Sequence, residues 1–268
     1  MRKTLSFPLR FFLYLICLFW IISSGWSLPG SKSAVLEVIL DKCARYCEKL
    51  DDLSLYYVCK EKVKEVIYHP YLGYTNVYVY DYQLIRKDKN ITEKRTLIEE
   101  NGRKKQEKDA PLKTELFYHK KIIFGPYALL NREKQKSFDY KIIKRGKFHD
   151  EEAVVIEAVP KSTEAIDDLY GKIWIAKKDF SILKIEWEQE SIENPEVSKV
   201  LAESFDAEPH FTITAEYGVK KKGIRFPSQF TIDESYIKSQ SHQRITRSKT
   251  LVDYYDYKFF VVETDVKY

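Results

Sequence analysis

A two-residue alternation recurs along most of this chain, and it constrains the fold more than any other feature. Phe211, Ile213, Ala215, Tyr217 and Val219 alternate with Thr212, Thr214 and Glu216. The same period returns at Leu183, Ile185 and Trp187 against Lys184, Glu186 and Glu188. Successive strand side chains point to opposite faces, so this is the pattern of antiparallel strands with one wet face. Tyr78, Tyr80, Tyr82 and Leu84 share one face of a further strand, and Val77, Val79 and Asp81 the other; Ile91 to Glu99 follows after the turn-like Lys87-Asp88-Lys89-Asn90. Runs at Val154 to Val159, Leu169 to Ala176, Ile224 to Glu234 and Arg244 to Glu263 bring the count to about ten. Between Gly218 and Ile224 a turn is expected in which Gly223 can take positive φ. Most connections are hairpin-length, which predicts a meander. The aromatic content, 20 Tyr, 15 Phe and 4 Trp against only 9 Gly and 9 Pro, suits pleated, half-buried surfaces.

Helical periodicity is confined to three places. Ser33 to Leu50 is apolar at Val35, Val38, Ile39, Ala44, Tyr46 and Leu50, with Ser33 as N-cap. A second helix is expected at Tyr127 to Lys134 after Gly125-Pro126, and a third at Pro195 to Ser204, where Asn194 caps and Pro195 takes the first helical position. Two or three helices cannot cover ten strands from outside. The expected fold is therefore α+β: a single curved antiparallel β-sheet, a half-barrel of about ten strands, wrapped around a few helices. With no internal repeat, low-complexity tract or linker, one domain is expected over residues 28–268.

The first 27 residues read as an export signal. Arg2, Lys3 and Arg10 precede the apolar run Phe11 to Ile22, and small residues follow through Ser27. A helix of that apolar run would extend only about 18 Å, short of the roughly 30 Å of a bilayer interior. Tyr14-Leu15-Ile16 are too bulky for a lipobox before Cys17. A soluble mature chain, periplasmic or secreted, is expected. Losing the three cations with the signal lowers the formal charge of +5 to +2, which removes most support for a nucleic-acid partner.

Cys43, Cys47 and Cys59 remain after cleavage, an odd count that leaves at least one thiol free or bonded to another chain. Cys43 and Cys47 lie one helical turn apart and bridge poorly. A Cys47–Cys59 disulfide across the helix-to-strand loop is expected, with Cys43 reduced and buried. Three buried free thiols, or a metal site completed by His69, are the alternatives; the spacing has no CxxC knuckle, and no metal or other cofactor is expected.

The stretch Gly171-Lys172-Ile173-Trp174-Ile175-Ala176-Lys177-Lys178-Asp179-Phe180-Ser181-Ile182-Leu183-Lys184-Ile185-Glu186 resembles a strand, turn and strand of the LolA/LolB-like, RseB-related superfamily of periplasmic half-barrels. Gly223-Ile224-Arg225-Phe226-Pro227-Ser228 resembles the strand opening after the next hairpin. Tyr46 to Leu50 and Tyr254 to Phe260 are similar to segments of uncharacterised secreted members. Ala176 stands where relatives often have Asp, a departure that affects a turn. The resemblance implies a half-barrel that holds lipoprotein, lipid or a membrane-anchored partner.

Enzymatic motifs are missing where they would be easiest to see: there is no GxSxG, HExxH, P-loop, GxGxxG or EF-hand loop. His69, His119, His149, His210 and His242 lie in separate segments. Adjacent acids such as Glu151-Glu152, Asp167-Asp168 and Glu99-Glu100 point to opposite faces of a strand. A carboxylate pair drawn from distant strands would leave no local spacing, but a non-enzymatic protein is expected. The clusters Arg103-Lys104-Lys105, His119-Lys120-Lys121 and Lys220-Lys221-Lys222 read as solvated hairpin tips and edge protection, or as contacts for anionic headgroups or an acidic partner. Asn90-Ile91-Thr92 matches a glycosylation sequon.

Large aromatics can also line a cavity between a sheet and its helices. Phe117, Phe124, Tyr127, Leu129 and Leu130 surround Gly125-Pro126 as a flap, and Trp174 and Trp187 are the strand residues expected with them. The reading is a periplasmic protein that binds a lipid, acyl chain or lipidated polypeptide on its concave apolar face. The alternative is an RseB-like sensor or protein-interaction module at the envelope.

Overall fold

The computed structural model describes residues 30–52, 55–69, 71–87, 90–114, 125–162, 169–192 and 196–260. The 27 residues expected as an export signal lie outside them. Among the described residues no helix is long and apolar enough to cross a membrane. The chain divides into two compact units, Met1–Val38 and Ile39–Tyr268. Of the first, only the opening of helix α1 (Gly30–Asp52) is described.

The second unit is built on one antiparallel sheet of eleven strands. In chain order these are β1 (Leu55–Ile67), β2 (Tyr74–Lys87), β3 (Asn90–Glu100), β4 (Arg103–Lys108), β5 (Phe138–Phe148), β6 (Glu151–Pro160), β7 (Gly171–Ala176), β8 (Ile182–Trp187) and β9 (Ala207–Glu216), then β12 (Gln229–Lys238) and β13 (Arg244–Phe259). Strands β10 (Val219–Lys221) and β11 (Ile224–Phe226) form a separate hairpin. The order across the sheet is β4-β3-β2-β1-β13-β12-β9-β8-β7-β6-β5, so the sheet is open, with β4 and β5 at its edges. The mostly-β α+β class expected from alternation is what the chain adopts.

Two features depart from a simple meander. Strand β13 returns to pair with β1, and the connection from β4 to β5 runs from one edge to the other. The alternation also misses β5. A bulge between Ile142 and Lys144 shifts its register, placing Ile142 and Ile143 in sequence and breaking the period. The run expected as one strand from Ile224 to Glu234 is two, split at Pro227, whose missing N–H cannot continue a ladder.

Register assigns the faces. Tyr57, Cys59, Glu61, Val63, Glu65 and Ile67 of β1 are buried, opposite Leu84, Tyr82, Tyr80 and Tyr78 of β2. The same face continues through Val252 and Thr250 of β13, Phe230 and Ile232 of β12, and Ile213 and Ala215 of β9. It continues through Ile185 and Trp187 of β8, Ile173 of β7 and Ile156 of β6 to Ile142 and Tyr140 of β5. Each such buried aliphatic or aromatic side chain contributes about 1.5–3 kcal/mol of transfer free energy. We call this the helix face. From Ile39 onward α1 buries Ile39, Cys43, Ala44, Tyr46, Cys47 and Leu50 as one stripe. Its end is tied down by Arg86 of β2, which donates to the Leu50 carbonyl at 2.7 Å and pairs with Asp51.

Helix α2 (Gly125–Leu130) is shorter than expected. Asn131 stops it, because its side-chain oxygen accepts from the Glu133 and Lys134 amides at 3.0 and 2.9 Å and starts a 3-10 turn, Lys134–Ser137. Helix α3 (Glu196–Phe205) falls where the third helix was expected.

The expected Cys47–Cys59 disulfide is not formed: Cys43, Cys47 and Cys59 are all free and buried. The Cys47 thiol turns towards α2 and donates to the Pro126 carbonyl at 3.6 Å, whereas Cys59 lies against Tyr257 of β13. Sequence separation measured the loop between them, not the direction of each thiol.

Candidate functional site

The seat of α2 is the point at which the β4–β5 connection meets the helix face. A Cβ on Gly125 would come within 2.8 Å of the Tyr217 hydroxyl, 3.4 Å of Ile185 and 3.5 Å of Trp187, so only glycine lets this backbone lie so close to the sheet. Tyr140 of β5 donates to the Leu129 carbonyl at 2.5 Å, and Gln135 donates to the carbonyls of Leu130 and Leu40 at 2.8 and 2.9 Å. Burial pushes the Tyr217 and Tyr140 phenols above their ordinary range, so both remain neutral hydrogen-bonding groups.

Of the residues expected to line a cavity, Leu129 and Leu130 are fully buried and Tyr127 is half-buried. Trp187 is buried beside Gly125 and meets Phe230 edge-on, with ring centroids 6.2 Å apart. Phe117 and Phe124 lie outside the described residues. Trp174 does not join this group. Gly171 pairs with Trp187 and Trp174 with Lys184, so the two tryptophans project from opposite faces. Trp174 packs with Ala153, Val155, Ala176 and Leu183 on the outer face, beneath the ammonium groups of Lys184 and Lys144 at 4.8 and 5.7 Å from its ring.

Sequence reasoning passed over Tyr217 and a band of buried polar groups on the helix face. Glu61 is fully buried and takes two hydrogen bonds from Arg95, at 2.6 and 3.0 Å. The Arg95 guanidinium lies 4.8 Å over the Tyr82 ring, and Tyr82 donates to Glu93 at 2.6 Å. Further along, the buried Glu234 accepts from Tyr236 at 2.5 Å, Ser248 at 2.8 Å and Ser198 of α3 at 3.5 Å. The signal was in β1, where Glu61 and Glu65 share the face of Cys59, Val63 and Ile67. The chain leaving β4 crosses this band, with the Lys113 amide donating to the Tyr80 hydroxyl at 2.9 Å.

Two clefts open on the outer face instead. One of about 320 Å³ is walled by Asp81, Gln83, Lys94, Thr96 and Lys108. The other, of about 280 Å³, has Tyr68, Thr212, Asp233, Arg244, Thr246 and Lys249 in its walls. Both are polar. Among the described residues no group of three or more His, Cys, Asp or Glu side chains is placed to hold a metal ion. Burial drives the thiols upward, Cys43 to about 12, which makes them poor ligands and nucleophiles.

The arrangement defines a class: a mostly-β α+β protein with three helices and one open antiparallel sheet among the described residues. No family model matches the sequence, and no curated protein is similar to it in sequence. Solved structures do match. A DUF1329 family protein from Desulfovibrio piger is 10% identical, with 85% of this chain and 95% of that chain covered and a TM-score of 0.38. A LolA superfamily protein from Nitrosomonas europaea is 8% identical over 83% and 94% of the two chains, with a TM-score of 0.36. The MucA/MucB complex of Pseudomonas aeruginosa matches at 9% identity over 81% and 93%, with a TM-score of 0.23.

Proposed function

We propose that this is a non-enzymatic envelope protein that holds a lipid, an acyl chain or a lipidated polypeptide on the concave helix face beneath α2. The observation that carries this reading is the seat of α2. A six-residue helix, attached through Gly125 and a few hydrogen bonds, covers the apolar floor of Ile185, Trp187 and Phe230. An acyl chain entering beneath this short cover would replace the burial that Leu129 and Leu130 supply with its own. Tyr127, Leu129, Leu130 and Trp187 would contact the chain, and Phe117 and Phe124 extend the same segment. Export to the periplasm or beyond follows from the amino-terminal segment.

The test is native mass spectrometry and lipid extraction of protein purified from the periplasm, with fluorescent fatty acid binding in vitro. Bound lipid is expected, and fatty acid affinity should fall in Trp187→Ala relative to Trp174→Ala, which lies on the other face. Lack of both co-purifying lipid and fatty acid binding would remove the carrier reading.

A second reading, a sensor or interaction module that carries no ligand, draws on a different observation. Much of the helix face is filled by its own side chains: Tyr57, Tyr80, Tyr217, Phe226 and Phe230 are all at most 2% exposed. A filled sheet recognises partners with its surface.

A further inference from the structure

The β1–β2 turn departs from the rest of the surface. Tyr71 is 92% exposed and Leu72 77%, and Tyr68 and Tyr74 beside them are 47% and 40% exposed. Four large side chains in seven residues form an apolar knob, whereas isolated exposed hydrophobics are ordinary. The knob stands between the β3–β4 and β12–β13 turns at the same end of the sheet, each followed by a strand that opens on a cation, Arg103 and Arg244. On one side the β3–β4 turn is fastened to β2 by Asn101, whose amide and side chain bond to the Val77 carbonyl and amide at 2.7 Å each, and exposed Arg103 and Lys104 follow. On the other, the Tyr68 amide donates to the Arg247 carbonyl at 2.8 Å, which sets the knob against the cleft of about 280 Å³.

That cleft has Arg244 and Lys249 in its wall together with Asp233 and the buried Glu234, whose carboxylate is engaged by Tyr236 and Ser248. Lys249 is paired with Asp233 at 3.3 Å, while Arg244 donates through Nε to Ser235 at 2.9 Å and pairs with no carboxylate among the described residues. The turns themselves, residues 68–73, 101–102 and 239–243, contain no acid. Glu99 and Glu100 lie across the β3–β4 hairpin from Lys104 and Arg103, Glu100 being engaged by Lys105 and Lys113, and Asp206 and Glu208 lie past the β12–β13 turn.

We propose that this end of the sheet is a docking surface for an acidic segment of another protein, with Tyr71 and Leu72 as apolar anchors. Tyrosine and arginine are the side chains that most often dominate such contacts. The relief decides between occupants: a knob beside a polar cleft complements a chain that receives the knob and inserts a carboxylate by Arg244, whereas a bilayer offers a plane. Cations on both flanks add attraction for an acidic partner and speed encounter. This rests on the partner-recognition part of the second functional reading and holds whether or not the helix face carries a lipid.

The test places the photo-crosslinking residue p-benzoylphenylalanine at position 71 of the full chain, in cells that produce it, and sequences the crosslinked peptide. One acidic segment is expected. A synthetic copy of that segment should bind the purified protein, weaken by about tenfold or more in Arg103→Glu/Arg244→Glu and in Tyr71→Ser/Leu72→Ser, and weaken as salt rises from about 0.05 M to 0.3 M. Crosslinks scattered over unrelated proteins, or peptide binding indifferent to charge reversal and salt, would overturn the proposal. So would sedimentation with phosphatidylcholine vesicles containing phosphatidylglycerol that is lost in Tyr71→Ser/Leu72→Ser, since that assigns the knob to a membrane. All four positions are at the surface, and matching thermal melts confirm folding. Fatty acid binding, read in the same variants, reports on the helix face alone.

Discussion

Arg225 of β11 donates from Nη2 to the Glu151 carboxylate of β6 at 2.6 Å, from a guanidinium side chain that is only 6% exposed. Its Nε donates to Ser181 at 2.7 Å, and its own amide donates to the Tyr46 hydroxyl of α1 at 3.1 Å. One side chain thus joins the β10–β11 hairpin, the β7–β8 turn and β6, while its backbone holds the helix. Arg225→Met should cost about 1–3 kcal/mol, less than a fully buried pair because Glu151 can be rehydrated. The melting temperature should fall by about 3–10 °C. An unchanged melt would show that the network contributes nothing net.

The Glu61–Arg95 pair is more deeply buried. Removing one partner in Arg95→Met should cost about 3–5 kcal/mol, because the Glu61 charge is left without its counter-ion. Glu61→Leu combined with Arg95→Met should recover most of that loss. Urea denaturation of the two single variants and the double variant measures the coupling, and additive losses would contradict it.

Glycine positions separate close backbone approach from open space. A Cβ at Gly171 would fall 2.2 Å from the Glu186 carbonyl oxygen and 2.8 Å from the Trp187 Cα, so Gly171→Ala must push β7 from β8. A loss above about 2 kcal/mol is expected. Nothing lies within 4 Å of a Cβ at Gly146, and Gly146→Ala should be neutral or stabilising by up to about 1 kcal/mol. Equal midpoints in urea would refute the distinction.

Asp179 supplies a pH dependence with a definite sign. Burial alone would raise its carboxyl, but hydrogen bonds from Lys220 and Ser181 outweigh this and hold it at about 2. A folded-state value below the unfolded one contributes stability that is present above about pH 4 and is lost as pH falls towards 2. The Asp179→Asn variant should therefore lose less stability than the parent over that interval, while being weaker at neutral pH. Parallel acid titrations of the two would expose an error of sign.

The thiols make a chemical prediction. Buried and shifted upward, Cys43, Cys47 and Cys59 should resist Ellman's reagent at pH 8 in the native protein and react once it is unfolded in guanidinium chloride. Non-reducing peptide mapping should find no Cys47–Cys59 pair; its recovery from exported protein would contradict the packing of Cys47 on Pro126.

Alternation revealed the strands wherever one face was apolar and one polar, as in Phe211 to Tyr217. It lost β5, where a bulge puts Ile142 beside Ile143, and it undervalued Glu61 and Glu65, which look solvated until Arg95 arrives from a strand two places away. For Trp174 and Trp187 the limit was parity. Their separation in sequence says nothing about shared faces until the β7–β8 turn and its bulge establish which residues oppose each other.

The sequence by itself determined the antiparallel class, the helical segments and the lack of local catalytic motifs, because all three depend on neighbours within a few residues. Only the tertiary structure decided that β13 closes against β1, that Gly125 is seated on Tyr217, and that Cys47 meets Pro126 rather than Cys59. Those outcomes come from burying side chains contributed by distant strands. That free energy depends on which surfaces meet in space, a quantity no local period records.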